Sequence, residues 1–187
     1  NSLKVTVLYS VYTIIPSVTI SLLIALLLNK ALVGVGFYRV AVYLPVITSM
    51  AAAAVVWRYI YDPDLGLANY LLGLVGVSPI RWLNEPKTSL PAVAIVGVWK
   101  RLGYNAVLYL SGLQGIPGYY YEAAELDGAS EWQKTWGITL PLLSPTTFFV
   151  VIMQVIASFK VFVSVNIMTN GGPVRSTDVI AHHLFEH

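Results

Sequence analysis

The side chains of this 187-residue sequence that could carry chemistry fall into three groups. Glu122, Glu125 and Asp127 stand together in a polar stretch, Lys100 and Arg101 are neighbours within an apolar one, and His182 and His183 are adjacent near the end. Adjacent residues on a helix point about 100° apart. The two histidines therefore lack the i, i+4 spacing that offers two imidazoles to one ion, and no metal site is expected. No Ser/His/Asp grouping and no paired carboxylates stand out, because the acids and the histidines lie in different regions. The absence of cysteine excludes disulfides, thiolate metal sites and thiol catalysis. No catalytic residue and no enzyme are expected.

The elements that must position these residues follow from solvent. The sequence is 57% hydrophobic and 11% charged, with a mean hydropathy of +0.71, whereas roughly a quarter of the residues of a soluble domain are charged. Val5 to Leu28 carries no charge over 24 residues, Val40 to Trp57 none over 18, Leu102 to Tyr121 none over 20 and Ile138 to Phe159 none over 22. About 20 apolar residues span a bilayer as a helix, so the spacing predicts an all-α, polytopic membrane bundle with four crossings. A net charge of +2 with scattered basic residues does not suggest a nucleic-acid partner. The first residue is Asn1, Val5 to Leu28 is too long for a signal peptide, and Thr177 to His187 reads as the start of a further helix. The expectation is one transmembrane domain over residues 1–187, incomplete at both ends.

The first crossing, Val5 to Leu28, leads through Asn29-Lys30, Gly34 and Gly36 to Arg39, a tight antiparallel connection. The second runs from about Val40 to Tyr61, with Pro45 near its start and small residues at Ala51 to Ala54. Asp62-Pro63-Asp64 breaks it, and Leu65 to Val77 is too short to span and is expected along the interface. The third, about Leu90 to Leu113, contains Lys100 and Arg101; the fourth runs from about Ile138 to Val165 into the turn Asn170-Gly171-Gly172-Pro173. Charge counting leaves orientation open, with Lys30, Arg39 and Lys134 on one side and Lys4, Arg81, Lys87 and Arg175 on the other.

In the loop Glu122–Pro141, the pattern Glu122-Ala123-Ala124, Gly128, Ile138, Leu140-Pro141 resembles the EAA motif of permease subunits of binding-protein-dependent ABC importers. Pro117, the helix formers from Tyr119 onward and Gly128 independently predict a short acidic helix there. Leu44-Pro45, Trp57, Gly66 with Asn69, Trp99 with Gly103 and Asn105, Leu113-Gln114 with Ile116-Pro117, and Phe159 through Pro173 extend the likeness to the carbohydrate-importer branch. The resemblance implies a type I importer permease fold, with residues 117–131 as a cytoplasmic coupling helix. Glu122, Ala123, Ala124, Asp127 and Gly128 would dock on an ATP-binding subunit. It further implies two such subunits holding ATP and Mg, a second permease forming a heterodimer, an external solute-binding protein, and a prokaryotic cytoplasmic (inner) membrane location with Lys30 and Arg39 inside. Leu110-Ser111-Gly112-Leu113-Gln114 is close to the LSGGQ signature of ATP-binding subunits, but it ends an apolar span and no G-x-x-x-x-G-K-[ST] accompanies it. It is read as coincidence, and no cofactor is expected on this chain.

Lys100 and Arg101 lie roughly 15 Å into the third crossing at 1.5 Å per residue. With Gly97, Tyr104, Asn105 and Ser111 they form one polar stripe, which predicts a cavity wall; the alternative is that both charges snorkel to the surface. Gln154 and Ser158 share a face on the fourth crossing and either line the same path or bond a neighbouring helix. Lys160 is expected to reach headgroups or a partner loop. Trp99, Lys100, Arg101, Tyr104, Asn105, Gln154 and Ser158 are thus the candidates for the path of a sugar or related polar solute, while Trp57, Tyr59 and Tyr61 read as interface anchors. A self-sufficient secondary transporter or channel is the competing reading; the lack of acids in all four crossings weakens its proton-coupled form.

Overall fold

The computed structural model describes residues 1–29 and 34–186. In chain order the helices are α1 (Ser2–Leu28), α2 (Val35–Ile47), α3 (Met50–Ile60), α4 (Leu67–Leu74), α5 (Pro86–Gln114), α6 (Tyr119–Leu126), α7 (Glu131–Lys134), α8 (Leu140–Leu142), α9 (Ser144–Phe159), α10 (Val163–Met168) and α11 (Ile180–Glu186), with a π-helical turn at Thr135–Thr139. No strand occurs among the described residues, and the fold is the all-α bundle expected.

Two long parallel helices form its axis. The Tyr9 hydroxyl fills the space above Gly97, Asn105 bonds Ser17, and Ala25 and Leu113 share one core cluster. In each pair the partners are 88 residues apart, so α1 and α5 run in the same direction without slipping. α1 is inside out by the standard of a soluble helix. Thr6, Ser10, Thr13, Ser17 and Ser21 are buried, whereas Leu3, Val7, Val11, Ile15, Leu23 and Leu27 are exposed. Lipid tails are as apolar as leucine, so burying leucine gains little there, and small hydroxyl-bearing residues allow close approach instead. Ser17 Oγ accepts hydrogen bonds from Asn105 Nδ2 at 2.9 Å and from Gln154 Nε2 at 2.7 Å, joining α1, α5 and α9 at one atom. Two turns back along α1, Ser10 and Ser158 share a 2.8 Å hydrogen bond.

Two of the four expected crossings are not straight. The second, Val40 to Tyr61, breaks between α2 and α3 with a bend of 99°. Pro45 has no N–H for the helical ladder, and Thr48 and Ser49 adopt extended conformations. The fourth, Ile138 to Val165, begins earlier, at Glu131, bends by 60° between Leu142 and Ser144, and ends its helix at Phe159. There Pro145 cannot donate to the carbonyl of Pro141. Among the described residues α1 alone is long and apolar enough to cross a bilayer, and up to three crossings result if each bent pair is one span. The expected third crossing, α5, is continuous over 29 residues, about 43 Å at 1.5 Å per residue. It has the length of a span without the apolar composition of one. α1, α2, α9 and α10 pack on it, and this interior position is what lets it carry Lys100 and Arg101.

The connections at the N-terminal ends of α1 and α5 are built by side chains bonding backbone. The Asn69 amide donates to the carbonyls of Pro63 and Ile80 and accepts from the Ile80 N–H and Trp82 Nε1, all at 3.0 Å. Those four bonds use the full capacity of the amide and tie α4 into the loop. The segment predicted to begin a further helix is α11. Buried Asp178 precedes it, taking a hydrogen bond from Ser2 Oγ at 3.2 Å and contacting His182 and His183 Nδ1 at 3.2 and 3.3 Å. The adjacent histidines thus meet one carboxylate. Burial pushes that carboxyl up, but the bonds with His182 and Ser2 and the nearby His183 outweigh it and hold it below the usual carboxylate range.

Replacing Ser17 by Val removes the acceptor shared by two buried amides. The expected loss of unfolding free energy is about 1–2 kcal/mol. It is measured by denaturant titration in micelles, and an unchanged midpoint would refute the shared-acceptor role.

Candidate functional site

The loop predicted to dock a partner is a braced pair of short helices. α6 starts at Tyr119 after Pro117-Gly118, and Glu122 lies in its first turn, where negative charge favours the helix dipole. It ends as the sequence predicts. Gly128 takes a φ of +75°, its N–H bonds the Glu125 carbonyl at 3.0 Å and the Ala129 N–H bonds that of Ala124 at 2.9 Å. This termination favours glycine, since a Cβ is penalised at left-handed φ. Ser130 and Gln133 then form a capping box that starts α7.

Lys134 binds the two helices together. Its buried Nζ lies 2.8 Å from Glu125 Oε1 and also pairs with Glu131 Oε1. Tyr121 shares a 2.9 Å hydrogen bond with Thr139, anchoring α6 to the π-helical turn. Glu125 is therefore engaged internally, which leaves Glu122 and Asp127 as the outward acids. Glu122, Ala123, Asp127 and Gly128 are exposed and Ala124 is half-buried. Leu126, 90% exposed, adds an apolar contact at the tip. The pair sits beside the C-terminal end of α1, with Leu27, Asn29, Glu131 and Lys134 lining one groove. Arg39 reaches the Leu28 carbonyl at the same end; Lys30 lies outside the described residues.

A second feature lies deeper in the bundle. Part of the predicted stripe, Gly97, Lys100, Arg101 and Tyr104, lines a cavity of about 450 Å³ between α1, α2, α5, α9 and α10. Lys100 does not snorkel. Its Nζ bonds the carbonyls of Pro45 at 2.6 Å, Val46 at 3.2 Å and Thr48, with Thr48 Oγ1 at 3.3 Å. These are the carbonyls that the break after α2 leaves without helical partners, so the ammonium caps that helix in its negative dipole end. Gly103 permits the approach: a Cβ there would meet the Val42 carbonyl and the Tyr43 Cα.

The other path candidates go elsewhere. Trp99 packs edge-on against Trp57 with ring centroids 5.6 Å apart, in a separate apolar recess. Asn105, Gln154 and Ser158 face α1 and hold helices together. Polarity in an apolar segment tells that a residue avoids lipid, and these three avoid it by facing protein. Tyr9, Lys160 and Ser164, which the sequence did not place on the path, line the cavity. The signal for the α1 stripe was present in the 4, 3, 4, 4 spacing of Thr6, Ser10, Thr13, Ser17 and Ser21.

Residues 4–182 match the family of the binding-protein-dependent transport system inner membrane component. The chain belongs to that family. It is 35% identical over 186 residues to the sn-glycerol-3-phosphate transport system permease protein UgpA of Agrobacterium fabrum, covering 99% of this chain and 63% of that one. It is 37% identical over 183 residues to the trehalose/maltose transport system permease protein MalF of Thermococcus litoralis, covering 98% and 62%. The chain thus spans less than two thirds of the length of these relatives. A bacterial alginate ABC transporter solved with an alginate pentasaccharide-bound periplasmic protein has a similar fold, with a TM-score of 0.88 and 25% identity, covering 99% of this chain and 65% of that one.

Lys100→Met withdraws the cap from three carbonyls at the break. Amide exchange in residues 46–52 is expected to rise several-fold, with a loss of about 1–3 kcal/mol in unfolding free energy. Unchanged protection there would show that Lys100 does not hold the break.

Proposed function

We propose that this chain forms part of the permease subunit of an ATP-driven importer, enclosing with a second permease a path for a sugar or related polar solute. The observation that carries the reading is the α6–α7 pair, with Glu122, Ala123, Asp127 and Gly128 turned outward and their backbone fixed by Gly128, Ser130 and Lys134. A knob that must receive force needs internal rigidity, and α5 leads into it through four residues, Gly115–Gly118. Two ATP-binding subunits supply ATP and Mg chemistry and dock at this knob on the cytoplasmic side of a prokaryotic inner membrane. An external binding protein delivers solute at the Asn69 end. Movement of the knob shifts α5 as a rigid body and opens the path alternately to each side.

The names of similar proteins support this reading. UgpA and MalF are named as permease proteins of sn-glycerol-3-phosphate and trehalose/maltose systems, and the solved neighbour carries a periplasmic protein. This chain is the conduit and not the motor.

In the complete transporter, Glu122→Lys and Gly128→Asp are expected to reach the membrane in normal amount while ATP-driven uptake into vesicles falls at least ~10-fold, equivalent to about 1.4 kcal/mol or more of coupling. Uptake at the unsubstituted rate in both variants would remove the docking assignment.

A further inference from the structure

We infer that the 450 Å³ cavity beside α5 binds an oxyanion, so that the solute passing this permease carries a phosphate or carboxylate group. The inference rests on the permease reading above and specifies its solute class. Arg101 and Lys160 both line the cavity, and no acidic side chain does. Among the described residues no carboxylate forms an ion pair with either. Lys100, the third cation of the wall, is held by the α2 carbonyls. Arg101 and Lys160 are left as the charges that can meet a ligand.

The depth of Arg101 makes its charge meaningful. By the 88-residue offset between α1 and α5 it stands level with Thr13, roughly 16 Å along the axis of α1, while Lys160, exposed after Ser158, lies nearer the N-terminal end of α1. A guanidinium stays protonated at the depth of Arg101. No acidic side chain in the wall neutralises it, and an entering anion would. Arginine presents a planar fork of donors that fits carboxylate and phosphate oxygens. Three hydroxyl-bearing side chains, Tyr9, Tyr104 and Ser164, share the wall with apolar ones such as Val46, Met50 and Phe162, and offer hydrogen bonds to the body of such a solute. The shared chemistry is an oxyanion on a hydroxyl-bearing skeleton. Phosphomonoester and carboxylate are two sources of it.

The test is equilibrium binding to the complete transporter in nanodiscs of phosphatidylcholine alone, without the binding protein, using radiolabelled glucose 6-phosphate, glucuronate and glucose. These probes share a ring and differ in the anion. Expected is saturable binding of at least one anionic probe roughly 10-fold or more tighter than glucose, weakening with salt. Lys160→Gln and Arg101→Gln should each abolish the preference, and Arg101→Lys should restore most of it. The probe that binds tells phosphate from carboxylate. The inference is overturned if glucose binds as tightly as both anions, if neither anion binds, or if the preference survives both Gln substitutions. It is also overturned if Arg101→Gln disrupts subunit assembly while Lys160→Gln leaves selectivity intact, which would assign Arg101 to a carboxylate of a partner subunit. ATP-driven uptake of a neutral solute by the same preparation would leave the permease reading standing while this inference failed.

Discussion

A polar atom inside a bilayer has no water to fall back on, and the Ser17 hydroxyl is where this protein turns that constraint into architecture. Two amides from two helices converge on it, and because neither has an alternative in hydrocarbon, α5 and α9 are fixed against α1 in register as well as in contact. The rest of the hydroxyl face of α1 extends the same logic toward Ser10 and Thr6, the latter accepting from the Ile180 N–H of α11 at 2.9 Å. Leucines on the opposite face serve as surface. Specific packing here comes from small polar residues.

The same rule explains the break between α2 and α3. A helix that ends within an apolar bundle exposes carbonyls that must be satisfied. Lys100 supplies several donors from one flexible stem and does so from α5, the helix already registered by Ser17. Its neighbour Arg101 has no such duty, and adjacent cations on one helix therefore divide their work: one closes a structural gap and the other faces the cavity. On the proposed function, α5 links the parts physically. Its C-terminal end leads to the α6–α7 knob, its middle walls the cavity, and its beginning meets the outer loops through the 2.8 Å Ser89–Ser176 bond.

Much of this was legible in the residues. Pro117 and Gly128 bracket α6, Asp62-Pro63 ends α3, and the gapped pattern from Glu122 identifies the loop. The 99° break was less so. Pro45 marks a weak point, but the bend depends on a lysine more than fifty residues away reaching the carbonyls it frees. Asn105, Gln154 and Ser158 are path candidates in sequence, the last two with helix bonding as the alternative that the structure shows, because an interior polar side chain looks the same whether it faces water or another helix. The hydroxyl face of α1 is hard to see in sequence because serine and threonine carry no charge and do not interrupt an apolar run. In sequence Lys134 is one basic residue of its loop; its part in joining α6 to α7 follows from a pairing with Glu125 across a turn, which helical spacing does not predict.

On the proposed function the outward face of α6 receives the motor. In a complete transporter otherwise free of cysteine, Asp127→Cys should form a short-range cross-link to an ATP-binding subunit in high yield, changing with nucleotide, while Arg81→Cys at the opposite end of the bundle should form none. A cross-link from position 81 together with none from position 127 would contradict the account.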